Sequence, residues 1–177
     1  MDFVFSKAKI SQDGEPDLQS KFGAAFNFGN TFFLHKPIGG MLRFGFDVTW
    51  LDLNYDNYDI EHIANNGVDK YQYHQGEVSM HIGPSVTIEP VKKLAVHAYF
   101  HYLPTFAMLY RGESEIFYGN YASLWAAGGN VSFGAVGLGL ESRFGTTNYK
   151  PIIGTSSHED TFKSSLSGFR AYLTLKF

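Results

Sequence analysis

At the end of the chain Phe169, Ala171, Leu173, Leu175 and Phe177 alternate with Arg170, Tyr172, Thr174 and Lys176. Strict period two marks a β-strand with one apolar and one polar face. The same pattern sets Leu42, Phe44, Phe46, Val48 and Trp50 against Arg43, Gly45, Asp47 and Thr49. It sets Val78, Met80, Ile82, Val86 and Ile88 against Glu77, Ser79, His81, Ser85 and Thr87. Leu94, Val96, Ala98, Phe100, Tyr102 and Phe106 oppose His97, Tyr99, His101 and Thr105. Val136, Leu138 and Leu140 oppose Gly137, Gly139, Glu141 and Arg143, and Phe22, Ala24, Phe26, Phe28 and Phe32 oppose Gly23, Ala25, Asn27 and Thr31. Only 2–10 and 119–132 alternate poorly.

Connections alternate in length. Short turns are predicted at 35–39, 89–93 and 132–135, and longer polar loops at 11–19, 56–69, 111–118 and 149–162. Between them lie eight strands, near 2–10, 20–34, 40–55, 70–88, 94–110, 119–132, 135–148 and 163–177. Three short turns on one side and four long loops on the other put both termini at the turn side. The fold class expected is all-β: an eight-stranded antiparallel up-and-down transmembrane β-barrel, one domain spanning 1–177.

Composition narrows the alternatives. The chain has 17 Phe, 11 Tyr and 19 Gly, no Cys and a net charge of -3. Without cysteine there is no disulfide scaffold or thiol nucleophile, and mild acidity gives no pull toward nucleic acid. A soluble lipocalin-type barrel would also alternate, with its apolar face inward. The unbroken Phe, Leu, Val, Trp and Met rows, with Tyr and Trp toward strand ends, favour lipid outside. Residues 116–140 carry no charged side chain, but their glycines and the Gly137-Leu138-Gly139 alternation favour strands over a spanning helix. The start, Met1–Lys7, has no basic region leading into an apolar stretch, so no secretory signal is visible. The chain therefore reads as either cytosolic or mature with its signal removed, and the strand pattern favours the second.

The closing Tyr172-Leu-Thr-Leu-Lys-Phe177 resembles the C-terminal signal of small bacterial outer-membrane barrels of the OmpA/OmpX-like kind. That resemblance implies outer-membrane localisation, outer-membrane lipid as partner, and recognition of Phe177 by the barrel-assembly machinery. It carries no catalytic residues, because such families share a fold and not one activity. Lipid-modifying deacylases on these barrels have a membrane-facing His-x-Ser-Asn motif, which is absent here, and outer-membrane proteases generally use larger barrels.

With lipid outside, Arg43, Asp47, Glu77, His81, His97, His101, Glu141, Arg143 and Arg170 point into a lumen just wide enough for side chains to fill. Three carboxylates and three arginines can pair there into a polar plug, with a narrow conduit as the rival. By strand rise His97 and His101 stand about 13 Å apart, too far for both to bind one metal. No metal site or cofactor is therefore expected. Thr155-Ser156-Ser157-His158-Glu159-Asp160 has the residue types of a hydrolase within a loop, an ordinary loop-tip composition. Asp56, Asp59, Glu61 and Asp69 lack calcium-loop spacing and read as a solvated loop. Ile116, Phe117 and Tyr118 read as a girdle edge or a contact for a protein partner. The function expected is non-enzymatic: a structural or interaction protein working through its loops, or an accessory subunit of a larger outer-membrane assembly. The rivals are a lipid A-modifying enzyme, a channel, or a soluble ligand-binding barrel.

Overall fold

The computed structural model describes residues 1–12, 17–64, 67–111, 117–153 and 162–176. The alternating segments form eight strands: β1 (Asp2–Gln12), β2 (Leu18–Phe33), β3 (Leu42–Ala64), β4 (Gly67–Val91), β5 (Leu94–Arg111), β6 (Phe117–Phe133), β7 (Val136–Ile153) and β8 (Phe162–Leu175). Each pairs antiparallel with its sequence neighbour, and β1 pairs with β8 from Asp2↔Thr174 to Gln12↔Ser164, closing the barrel. Closure leaves no unpaired sheet edge, which a bilayer requires.

Three connections mark one end of the barrel. β4 and β5 join through Lys92 and Lys93, the latter at φ 74, and β6 and β7 through Gly134, at φ 62, and Ala135. Positive φ at such positions matches the twist of tight hairpins. Residues 34–41 join β2 to β3, pinned by the Ile38↔Leu42 bridge. The Met1 amino group donates to the Leu175 carbonyl at 3.1 Å, placing both described chain ends at this turn end.

The strands run further at the opposite, loop end than alternation alone indicates. The 56–69 segment is not a loop: β3 and β4 stay paired to Ala64↔Gly67. Residues 117–118 and 149–153 likewise belong to β6 and β7. In these segments the sequence does not alternate strictly between apolar and polar residues, so the strand continues without the pattern that signals it. The Thr155–Asp160 cluster and Phe177 lie outside the described residues.

Bulges on β2 and β3 adjust which faces their side chains take. On β3 the pairings pass from Gly29↔Thr49 to Phe28↔Leu51, and from His81↔Thr49 to Ser79↔Asp52, so β3 carries one extra residue there. An extra residue reverses which face later side chains take. Before it Asp47 points in; after it Asp52, Asn54, Asp56 and Tyr58 do, all buried. A second bulge sits on β2 between Ser20 and Phe22.

The apolar rows face outward. Phe3, Phe5, Phe44, Leu53, Val78, Ile82, Phe100, Trp125, Leu140, Phe144 and Phe169 are all exposed, most by about two-fifths to two-thirds of their surface. In water this band would be one continuous apolar surface, which soluble proteins do not carry. It is the lipid-facing wall of a transmembrane barrel. The charge-free 117–140 stretch is β6 and the start of β7.

Inside, the loop-end half is apolar: Ile10, Tyr58, Leu103, Ala107, Leu109, Ala122, Leu124, Tyr149 and Leu166 pack together. This explains why 119–132 shows no alternation, since Ala122, Leu124 and Ala126 of β6 face an apolar part of the interior. A single charge on the outer wall tests the orientation. Leu140→Arg, between Leu138 and Phe144 on the same row, should cost about 2–4 kcal/mol of folding free energy in bilayers. Equilibrium refolding into vesicles at graded urea would read it, and an unchanged midpoint would mean that Leu140 does not face lipid.

Candidate functional site

The inward polar residues form layers along the barrel axis. Nearest the turns, Arg43 pairs with Glu89 and lies 4.0 Å over the Phe33 ring, only partly buried. Arg43 is thus a rim residue at the lumen mouth. Lys176 donates to Ser132 Oγ at 2.7 Å on the same rim.

One layer further in, Asp47 gathers its neighbours. Ser85 Oγ donates to Oδ1 at 2.8 Å, while Nε2 of His97 and of His101 lie 2.9 and 3.2 Å from Oδ2. The separation expected from strand rise does not keep these histidines apart: their side chains converge on one carboxylate oxygen. Among the described residues, however, no three His, Asp or Glu side chains are arranged to hold a metal ion. Thr87 Oγ1 is 2.8 Å from Nδ1 of His97, so a hydroxyl, an imidazole and a carboxylate stand in line.

The central layer is built on Arg170, 2% exposed. Its Nη1 donates to Asp52 Oδ2 at 2.6 Å and Glu141 Oε1 at 3.4 Å, and its Nη2 to Asp52 Oδ1 at 3.3 Å. Asp52 also holds Nε2 of His81 at 2.7 Å. Glu141 accepts from the Tyr99 hydroxyl at 2.8 Å, with Tyr172 beside it. Glycines make room for these rings: a Cβ on Gly128 would sit 2.6 Å from the Tyr99 hydroxyl oxygen, and on Gly139 2.2 Å from the Tyr172 ring.

Toward the loops, Arg143 donates to Glu77 at 2.9 Å. Asn54 bridges Asp56 and Glu77, and Ser6 donates to Asp56 at 3.0 Å. Gln75 donates to Glu77 and to Tyr149, and accepts from Tyr58. Tyr58 and Tyr149, both 0% exposed, belong at once to this network and to the apolar loop-end cluster.

The lumen is therefore not a uniform polar plug. Its loop-end half is packed, with a void of only about 20 Å³ beside Arg143. Its turn-end half is a vestibule of about 500 Å³ lined by Asp2, Asp47, His81, His97, His101, Tyr99, Glu141 and Arg170. Asp52, Asn54, Asp56, Gln75, Tyr58 and Tyr149 were not among the residues that alternation singles out. The apolar pair Trp50-Leu51 is the one mark of the bulge that brings the first three inside.

No protein-family model matches the chain, and no curated protein matches it either. Among solved structures it is similar to Neisserial surface protein A, at 14% identity, covering 99% of this chain and 95% of that one with TM-score 0.52. It is also similar to the outer membrane protease OmpT from Escherichia coli, at 9% identity, covering 99% and 93% with TM-score 0.55. The fold is that of outer-membrane β-barrels. One of these neighbours is a protease, so the fold has enzymatic members.

Removing Arg170 leaves Asp52 and Glu141 buried without their cation. Arg170→Met should destabilise the barrel by about 3–5 kcal/mol, read as a lower denaturant midpoint in vesicles. Arg43→Met, at the rim, should cost less than about 1 kcal/mol. Equal effects would contradict the layered network.

Proposed function

We propose that this chain is an outer-membrane barrel closed to through-flow, a non-catalytic structural or interaction protein that meets its partners at the loop end or docks by its wall in a larger outer-membrane assembly. One observation carries the reading. The loop-end half of the lumen is filled, by the Glu77, Arg143, Asp56 and Gln75 network and by the Tyr58, Tyr149, Leu103 and Leu109 packing above it. An ion entering the vestibule meets Arg170 and Arg143, each tied to carboxylates, and then an apolar seal. Moving a charge through that seal is costly unless water accompanies it. The long β3–β4 hairpin supports the loop-end role, because its paired backbone reaches Ala64↔Gly67, well past the apolar rungs of its own strands.

The test is electrical. Refolded protein in a planar bilayer should give no unitary conductance steps at moderate voltage, whereas a steady ohmic channel would replace this reading with the conduit.

A second reading, hydrolysis in the vestibule, has one specific observation behind it. Thr87, His97 and Asp47 are hydrogen-bonded in the order of an activated nucleophile, its base and the base's orienting carboxylate. Under the closed-barrel reading a hydroxyl-directed fluorophosphonate probe leaves the folded protein unlabelled. Labelling that Thr87→Val abolishes would favour the hydrolase.

A further inference from the structure

The turn-end vestibule has no part in a barrel that acts at its loops or by its wall. Its volume of about 500 Å³ is nonetheless that of a small-molecule site. Phe33, Arg43, Glu89 and Lys176 line its mouth.

Its charges do not balance. Below the rim it is lined by the carboxylates of Asp2, Asp47 and Glu141, with Asp52 beside Arg170. Among the described residues Arg170 is the one guanidinium or ammonium at that depth, and Asp52 and Glu141 already hold it. Arg43, Lys176 and the Met1 amino group stand at the rim, where Arg43 pairs with Glu89 and Lys176 with Ser132. Asp2 is half-buried at the start of β1 and faces the Thr174 hydroxyl. Among the described residues no Lys, Arg or His side chain lies at ion-pair distance from it.

The unused hydrogen-bonding atoms of the chamber are acceptors. A carboxylate can only accept, so Asp47 Oδ2 takes an N–H from Nε2 of both His97 and His101. In the neutral ring that leaves Nδ1 of His101 a bare lone pair. It has no partner, although His101 is only 4% exposed. A Cβ on Gly83 would sit 3.1 Å from Cδ2 of His101, so that edge of the ring lies on the β4 backbone. Nδ1 is on the opposite edge and turns toward the vestibule. Asn130 Oδ1, on β6, is likewise buried without a partner. Buried acceptors of this kind are destabilising until a donor reaches them. The one unpartnered donor among the residues lining the chamber, Arg43 Nε, is at the mouth. The acceptors stand on β1, β5 and β6 and do not converge as ligands of a metal ion. That arrangement suits several N–H groups carried by one molecule.

We propose that the vestibule binds a small organic diamine. Its ammonium groups meet the Asp2 carboxylate, His101 Nδ1 and Asn130 Oδ1, in the negative field of Asp47 and Glu141. The site is separate from the loop-end surface and stands or falls independently of it.

The test uses the whole chain refolded in a zwitterionic detergent, with a band that shifts on boiling as proof that each sample is folded. Putrescine is titrated by calorimetry beside succinate and butanediol, its anionic and neutral counterparts of equal chain length. Putrescine should bind at least about tenfold more tightly than either. Asp2→Asn should weaken it about tenfold, whereas Asp17→Asn, the same charge change at the loop end, should leave it unchanged. In protein with isotope-labelled histidine, one bare imidazole nitrogen resonance, identified by its loss in His101→Asn, should move when putrescine is added. If Asp2→Asn fails to fold, that resonance in the unaltered chain decides. Absence of putrescine binding, or equal binding of succinate or butanediol, would overturn the proposal. So would unchanged affinity in folded Asp2→Asn, or a His101 resonance that stays in place.

Discussion

A strand that crosses a bilayer has no water beside it to take up its amide groups, so each backbone donor and acceptor must find another strand. In this chain that demand is met by the β1–β8 pairing that closes the ring. Once the ring closes, side chains can only alternate between lipid and lumen. The Phe, Leu, Val and Trp rows go to lipid, and the charged residues are confined together in a narrow interior. Arg170, Asp52, Glu141, Arg143 and Glu77 pair because closure leaves them no other solvent.

Confinement then divides the lumen. In the loop-end half, residues of β5 and β6 that face inward are mostly small or apolar, notably Ala107, Ala122, Ala126 and Leu124. They leave space for Tyr58 and Tyr149 to cross the loop end and seal it. The turn-end half lacks such packing and stays hollow around Asp47 and its two histidines. The interior is thus a blind vestibule beneath a seal, a shape suited to a barrel that works by its surface.

Much of this was legible in the sequence, for physical reasons. Where one face meets lipid and the other a polar lumen, period two is enforced, so the strand count, the turn end and the inward place of Arg170 and Glu141 are readable from alternation. Legibility fails where that contrast fails. β6 faces an apolar interior and so shows no alternation. Past the apolar rungs, β3 and β4 remain paired to Ala64↔Gly67 without strict apolar–polar alternation, and that segment reads as a loop. The bulge near Trp50 reverses parity, and with it Asp52, the main partner of Arg170, was hidden. Backbone spacing alone does not reveal that His97 and His101 meet, because side chains four residues apart on a strand can lean toward a common carboxylate.

The orientation of the wall is tested most directly by its two tryptophans, the only ones in the chain. Trp50 and Trp125 both lie on the outer face and are substantially exposed. In vesicles whose phospholipid acyl chains carry bromine, their fluorescence should be strongly quenched relative to unbrominated lipid. A barrel with its apolar rows inward would stay in solution with emission unchanged by the brominated lipid, and that result would contradict the account.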